Sequence, residues 1–329
     1  NNCLGLHPIL QSWRSEAQHI SSIFSPADSW SGFLYACGTR LLSRVFCFST
    51  MAKKIAIQGG YGAFHEIAAH HYFENEEIEI LPRNTFRDMV STLKDQQCDF
   101  GIMAIENSLA GSIIPNYNLI INTSMHITGE IYLRIKQNLV AMPGVKISGL
   151  KEVYSHPMAI LQCQDFFDTH PHIRVIESMD TALSAQEVSQ KGAMDLGAIS
   201  SRMAADKYGL EIIAESIETN KKNYTRFLIL GENGIRTPDR EVNKASIFFT
   251  VAHKFGSLSK ILSILSYYEI NLAKIQSMPI PGKDWEYMFF VDVEINDYDM
   301  YKRSLEAIGP LTPSIGILGE YRKAKSVIE

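Results

Sequence analysis

From Lys53 onward, short apolar runs alternate with stretches of helical spacing. Residues 53–58 form a compact apolar run that predicts a strand. Gly59-Gly60-Tyr61-Gly62 interrupts it, and residues 63–73 follow with a helical pattern. Residues 77–81 predict a second strand, Thr85 an N-cap for a helix over 86–95, and 100–105 a third apolar strand. This alternation predicts βαβ units around a mainly parallel sheet. After a β-rich stretch, 129–142, it resumes with strands near 152–154, 173–176, 196–199 and 211–214. Two α/β lobes in series fit better than one large sheet, with a cleft between them where small ligands tend to bind.

Residues 232–243 (ENGIRTPDREVN) are polar and turn-rich and predict a linker. Beyond it, a strand at 245–252 leads into Leu258, Ile261, Leu262 and Leu265, spaced i, i+3, i+4, i+7 as on one helix face. Strands at 271–279 and 285–294, a helix at 297–308 and a strand at 314–321 complete the order βαββαβ, a ferredoxin-like module. One face of its sheet is expected to be bare, so a second copy is the expected cover, in a homodimer or homotetramer. The expected boundaries are a leader at 1–50, a two-lobed domain at 51–231, the linker at 232–243 and the module at 244–329.

The first fifty residues lack this regularity. They hold no Lys, only Glu16 and Asp28 as acids, and three of the five cysteines. Such leaders include organelle transit peptides. Because Met51-Ala52-Lys53-Lys54 looks like a translation start directly before the first strand, the segment is read instead as upstream sequence outside the fold. Among 329 residues, 46% are hydrophobic and 20% charged, which excludes wholesale disorder. No apolar run reaches the ~18 residues of a membrane span. A formal charge of −5 supplies no field for nucleic acid. Five cysteines without tight spacing point to a reducing, cytoplasmic setting rather than a disulfide framework.

Four places carry candidate chemistry. Gly60-x-Gly62 after the first strand fails the dinucleotide fingerprint, because His65 stands at the third glycine position. A turn that aims N–H groups at an anion and a plain tight turn fit it equally. Glu106-Asn107-Ser108 sits at the carboxyl end of the third strand, the usual ligand edge, although Asn107 or Ser108 could simply cap a helix. Ser155-His156-Pro157 and Gln162 lie about two helical turns apart, so Ser155 and Gln162 can face one cleft wall while His156 shapes the loop. In Asn223-Tyr224-Thr225-Arg226-Phe227, strand alternation puts Thr225 and Phe227 on one face and Arg226 on the other; by spacing alone an ordinary strand start ranks first. His170-Pro171-His172 lacks a third ligand, so no metal is expected, nor any other cofactor.

Together, Ile105-Glu106-Asn107-Ser108 with Gly111, Ser155-His156-Pro157 with Gln162-Cys163, and Asn223-x-Thr225-Arg226-Phe227 resemble the prephenate dehydratase family with its C-terminal ACT domain. The resemblance runs from Lys53 to Glu329. It implies a periplasmic-binding-protein-like, two-lobed α/β catalytic domain followed by a ferredoxin-like ACT regulatory domain. It also implies a carbon-oxygen lyase that converts prephenate to phenylpyruvate in phenylalanine biosynthesis, with L-phenylalanine as effector. By that resemblance Thr225 and Glu106 are the expected catalytic residues, Glu106 as the ultimate proton source. Asn107, Ser108, Ser155, Gln162, Arg226 and Phe227 are expected to bind substrate, with bracing of the strand the alternative for Arg226 and core packing the alternative for Phe227. Gly256, Ser257, Leu258, Gln276 and Ser277 occupy the effector positions. Departures include Gly59-Gly60-Tyr61-Gly62-Ala63-Phe64-His65 at the first turn, Gln137 where a His is common, and Gln276 and Met278 where the family has a Glu and an Arg. Arogenate is the alternative substrate, and a non-catalytic amino-acid sensor the alternative from another class.

Overall fold

In strand β1 (Lys53–Gln58), Ile55, Ala56 and Ile57 are fully buried, as a central parallel strand requires. The computed structural model describes residues 52–123, 125–232, 237–280, 282, 286–325 and 327–328. The leader, residues 233–236 of the expected linker, and Trp285 with part of its turn lie outside the described residues.

The first lobe continues with α1 (Phe64–Tyr72), β2 (Ile78–Arg83), α2 (Phe86–Lys94), β3 (Phe100–Asn107), the short β4 (Gly111–Ser112), α3 (Ile114–Ile121) and β5 (His126–Arg134). Thr85 and Asp88 cap α2 reciprocally, each side chain bonding the other's backbone N–H. The chain then crosses into the second lobe. This holds β6 (Asn138–Ala141), β7 (Glu152–Ser155), α4 (Pro157–Gln162), α5 (Gln164–Asp168), β8 (Arg174–Glu177), α6 (Thr181–Lys191), β9 (Leu196–Ser200), α7 (Arg202–Tyr208) and β10 (Glu211–Ala214). A second crossing returns it as β11 (Tyr224–Gly231). The β-rich stretch 129–142 is thus two strands in two lobes. Neither sheet is wholly parallel: β2-β1-β3 and β8-β7-β9 are, but β11 runs antiparallel to β3 and β5, and β6 antiparallel to β9 and β10.

The remaining elements are β12 (Lys244–Thr250), α8 (Ser257–Tyr267), β13 (Asn271–Pro279), β14 (Tyr287–Glu294), α9 (Tyr298–Ile308), β15 (Ile315–Tyr321) and β16 (Val327–Ile328). Their sheet, in the order β13-β14-β12-β15, gives the ferredoxin-like βαββαβ module. One sheet face buries Ile247, Phe249, Val291 and Val293 against Ile261, Leu265 and Tyr301 of α8 and α9. The other face was expected to be bare and is not. Phe290, Met278 and Leu318 share a core with Tyr117, Met125 and Ile127 of the first lobe. Tyr117 meets Phe290 edge-on at 4.3 Å. β16 adds a parallel strand to β5, and residues 52–329 pack as one unit.

That packing needs close backbone approach. A Cβ on Gly319 would lie 2.1 Å from the carbonyl oxygen of Ile127. Gly319→Ala is expected to cost about 1–3 kcal/mol by forcing β15 off β5; the urea unfolding midpoint checks this, and an unchanged midpoint would contradict the tight contact.

Candidate active site

The two crossings and the lobe edges enclose a cavity of about 340 Å³. Its first-lobe wall comes from Ala63, Phe64 and His65 at the start of α1 and from Ala104 and Asn107 on β3. Thr225 and Phe227 on β11 complete that wall. The second lobe supplies His156, Ala159 and Gln162 around α4, and Asp180 and Thr181 at the start of α6; Gln137 enters from the crossing. Among the described residues, no Lys or Arg lines it. Several helices begin here, so the partial positive charge of their N-termini replaces cationic side chains.

The glycine turn explains how the lobes come so close. A Cβ on Gly62 would meet the Ala204 backbone at 2.5 Å, and one on Gly59 would meet an Asp180 oxygen at 2.7 Å. Gly59 and Gly62 also have φ of +101° and +86°. The Gly60 N–H donates to Asp180, which caps α6 through the N–H groups of Ala182 and Leu183. The turn therefore packs against the opposite lobe, and no anion is needed to explain its glycines.

Asn107 organises the chemical centre. Its Oδ1 accepts from the backbone N–H groups of Leu109 (2.9 Å) and Ala110 (3.0 Å), which orients the amide. Its Nδ2 then faces Thr225 Oγ1 at 3.0 Å, Asn223 Oδ1 at 2.7 Å and the Tyr224 carbonyl at 3.1 Å. With Oγ1 accepting, the Thr225 hydroxyl is free to donate. Opposite, Gln162 Oε1 accepts from Asn223 Nδ2 (2.9 Å) and Gln137 Nε2 (3.2 Å). Thr225, Asn107, Gln162 and Phe227 thus come together at one cavity.

Four expected members do not. Ser155 is fully buried and donates to the Ile199 carbonyl at 2.9 Å, joining β7 to β9 instead of facing the cleft. Ser108 donates to the Lys222 carbonyl and accepts from the Tyr224 N–H, bracing the end of β11 outside the cavity lining. Arg226 and Glu106 point to the opposite sheet face. There Arg226 meets Glu130 at 2.8 Å, Glu106 at 3.3 Å, Asp292 and the Tyr321 hydroxyl. Lys244 pairs with Glu130 at 2.8 Å and Lys274 with Glu106. Three cations and three carboxylates therefore close on one another between the first lobe and the module. The alternation of β11 that brings Thr225 inward takes Arg226 away from any substrate, and Glu106 is turned from the cavity as well.

Sequence reading assigned no site role to Gln137, Asp180 or Thr181, nor to two histidines of the lining. His65 is buried edge-on against Phe227 (5.0 Å) and Phe86 (5.4 Å), and its Nε2 accepts from the Ala104 N–H at 3.4 Å. Its place as the third residue after the glycine turn, on the cavity side of α1, was the available signal. His156 Nδ1 accepts from the Met158 N–H at 3.2 Å, capping α4. Burial lowers the pKa of both, and His65 falls to about 3. Of the effector positions, Gly256, Ser257 and Leu258 line a second cavity with His253, Lys254, Tyr287 and Phe289. Gln276 and Ser277 are outside that lining, and Gln276 donates to the Ser277 carbonyl.

A two-lobed α/β scaffold with polar groups of both lobes around one small cavity defines a small-molecule site of the cleft type. The family model for prephenate dehydratase matches residues 55–235. The Arogenate dehydratase/prephenate dehydratase 1, chloroplastic, of Arabidopsis thaliana is 36% identical over 285 residues, covering 82% of this chain and 71% of that protein. A solved structure described as GqqA, a novel type of quorum quenching acylases, is 26% identical at a TM-score of 0.75, covering 83% of this chain and 99% of that one. The prephenate dehydratase of Arthrobacter aurescens in complex with L-Phe shares the fold, with a TM-score of 0.75, 24% identity, and coverage of 84% and 93%. The chain belongs to the prephenate dehydratase family. Among the described residues, no helix is long and apolar enough to cross a membrane.

His65 also makes stability depend on pH. The fold keeps the ring neutral down to about pH 3, whereas the unfolded chain protonates it near 6.5. The unfolded state therefore binds the extra proton between those values, and stability falls as pH drops through that window, by at most about 1.4 kcal/mol per pH unit. His65→Asn should flatten the slope of urea midpoints between pH 6.5 and 4; an unchanged slope would assign the acid loss to other groups.

Proposed function

We propose that the cavity catalyses the decarboxylative dehydration of prephenate to phenylpyruvate, CO2 and water, the carbon-oxygen lyase step of phenylalanine biosynthesis. The observation that carries this reading is the Thr225 hydroxyl, held at 3.0 Å by the Asn107 amide inside a chamber fed by both lobes. Prephenate carries two carboxylates and a ring hydroxyl opposite a quaternary carbon. As the carbon–carboxylate bond breaks, its electron pair enters the ring, and the hydroxyl leaves as water after gaining a proton. Asn107 donates to Thr225 Oγ1, so Thr225 turns its O–H toward the leaving oxygen. Cavity water replaces the proton.

The absence of Lys and Arg from the described lining fits this chemistry. A cation on the departing carboxylate would stabilise the ground state more than a transition state whose charge is moving into the ring. Gln162 and the helix N-termini hold the retained carboxylate, and Phe227 borders the ring as it becomes aromatic. Acyl transfer, the chemistry that describes GqqA, calls for a nucleophile next to a base; here the hydroxyl's partner is an amide.

One observation favours arogenate as a second substrate. Gln137 lines the cavity, and its buried Oε1 has no hydrogen-bond partner among the described residues, so a small turn of its amide toward the cavity would offer an acceptor that suits an ammonium and not a keto oxygen. The ratio of kcat/KM for the two substrates decides between them. L-Phenylalanine is read as the effector, taken up beside Gly256, Ser257 and Leu258. A homodimer or homotetramer is read through the outer edge of β13, which ends its sheet and leaves Ile275 43% exposed.

Thr225→Val removes the donor while keeping the shape, and is expected to lower kcat about 10²–10⁴-fold in a folded protein. Phenylpyruvate absorbance after addition of prephenate measures it, and near-normal turnover would take Thr225 out of the mechanism. Titrating L-phenylalanine to millimolar concentration should change the rate; a flat response would show that the C-terminal module does not sense it.

A further inference from the structure

Asn223 does not line the cavity, yet two amides that do, Asn107 and Gln162, both bond to it. It is fully buried at the end of the second crossing. Its carbonyl accepts from the Ile135 N–H of the first crossing at 2.8 Å. Its side-chain Oδ1 accepts from Asn107 of the first lobe at 2.7 Å, and its Nδ2 donates to Gln162 of the second lobe at 2.9 Å. Asn223 is thus where both crossings and both cavity walls meet.

The direction of this chain is fixed. A primary amide has an acceptor on one side and donors on the other, so each link dictates the next. The backbone N–H groups of Leu109 and Ala110 claim Asn107 Oδ1, which leaves Asn107 Nδ2 for Asn223 and Thr225. Asn223 must then present oxygen to Asn107 and NH2 to Gln162. Gln162 Oε1 receives that donor and a second one from Gln137 Nε2 at 3.2 Å, so its own NH2 is left for the cavity it lines. Reversing any link sets oxygen against oxygen or NH2 against NH2, and leaves a buried polar group unsatisfied.

We propose that Asn223 is a positioning residue for the reaction: it transmits the polarity set at Leu109 and Ala110 across the lobe junction, so that Gln162 faces a substrate carboxylate as a donor while Thr225 faces the leaving hydroxyl as a donor. This rests on the reading of the cavity as the dehydratase site. Asn223 acts through Asn107 and Gln162 and never meets the substrate.

Asn223→Asp tests it with almost no change of shape. The new carboxylate still accepts from Asn107 but cannot donate to Gln162, whose amide turns and shows oxygen to the cavity. KM should rise about 10- to 100-fold, the effect of losing a hydrogen bond to a charged group, while kcat stays within a few-fold because the Asn107–Thr225 bond remains. Asn223→Asp in a Gln162→Ala background should raise KM no further than Gln162→Ala alone, since both act on one contact. If Asn223→Asp does not fold, Gln162→Glu keeps the acceptor and removes the cavity donor, and should show the same rise in KM. A wild-type KM in a folded Asn223→Asp or in Gln162→Glu would overturn the proposal, as would full additivity of the two changes. Wild-type protein that converts neither prephenate nor arogenate would overturn instead the dehydratase reading beneath it.

Discussion

A guanidinium enclosed in protein is tolerated only where carboxylates surround it, and Arg226 finds them only when three strands of the first lobe meet the C-terminal sheet. Its side chain is 1% exposed, and its partners come from β3, β5 and β14. Leaving out any one of them would strand a buried charge at a cost of several kcal/mol. The cluster therefore fixes β11, and through it the residue before Arg226 in the chain. Thr225 and Arg226 face opposite ways because strand side chains alternate. A register shift between Arg226 and Phe227 leaves Ile105 as the extra residue on β3, so that Ala104 as well as Asn107 reaches the cavity beside Thr225 and Phe227. The C-terminal module is in this sense part of the wall behind the site.

The cavity solves a problem of charge without cations. The segment that builds it, residues 53–243, carries 18 basic and 24 acidic residues, so no long-range field draws in a dianion. In the proposed reading, neutral donors and helix N-termini do so at close range. Their orientation is set by a run of amides, from the N–H groups of Leu109 and Ala110 through Asn107 and Asn223 to Gln162. His65, buried edge-on against two phenylalanines, is held neutral by that burial and adds to the low polarity of the lining.

Much of this was legible in the chain. Strand and helix positions followed from apolar spacing because each element buries one face, and the spacing of a buried face is local information. Thr85 as an N-cap and the βαββαβ order were visible for that reason. Thr225, Asn107, Gln162 and Phe227 are legible chiefly through motifs that resemble a family. Ser155, Ser108, Arg226 and Glu106 shared the same motifs and lay elsewhere, because a motif records that residues go together and not which way each one points.

What the sequence determined by itself was most of the elements, the class of fold and the short stretches that carry chemistry, since all three depend on neighbours a few residues apart. Only the tertiary structure decided that the glycine turn packs on Ala204 and Asp180, that the module's open sheet face lies on its own first lobe, and that Asn223 joins walls contributed by residues 107 and 162. Those outcomes join groups tens to more than a hundred residues apart, and the contacts that choose among them come into being only when the chain is folded.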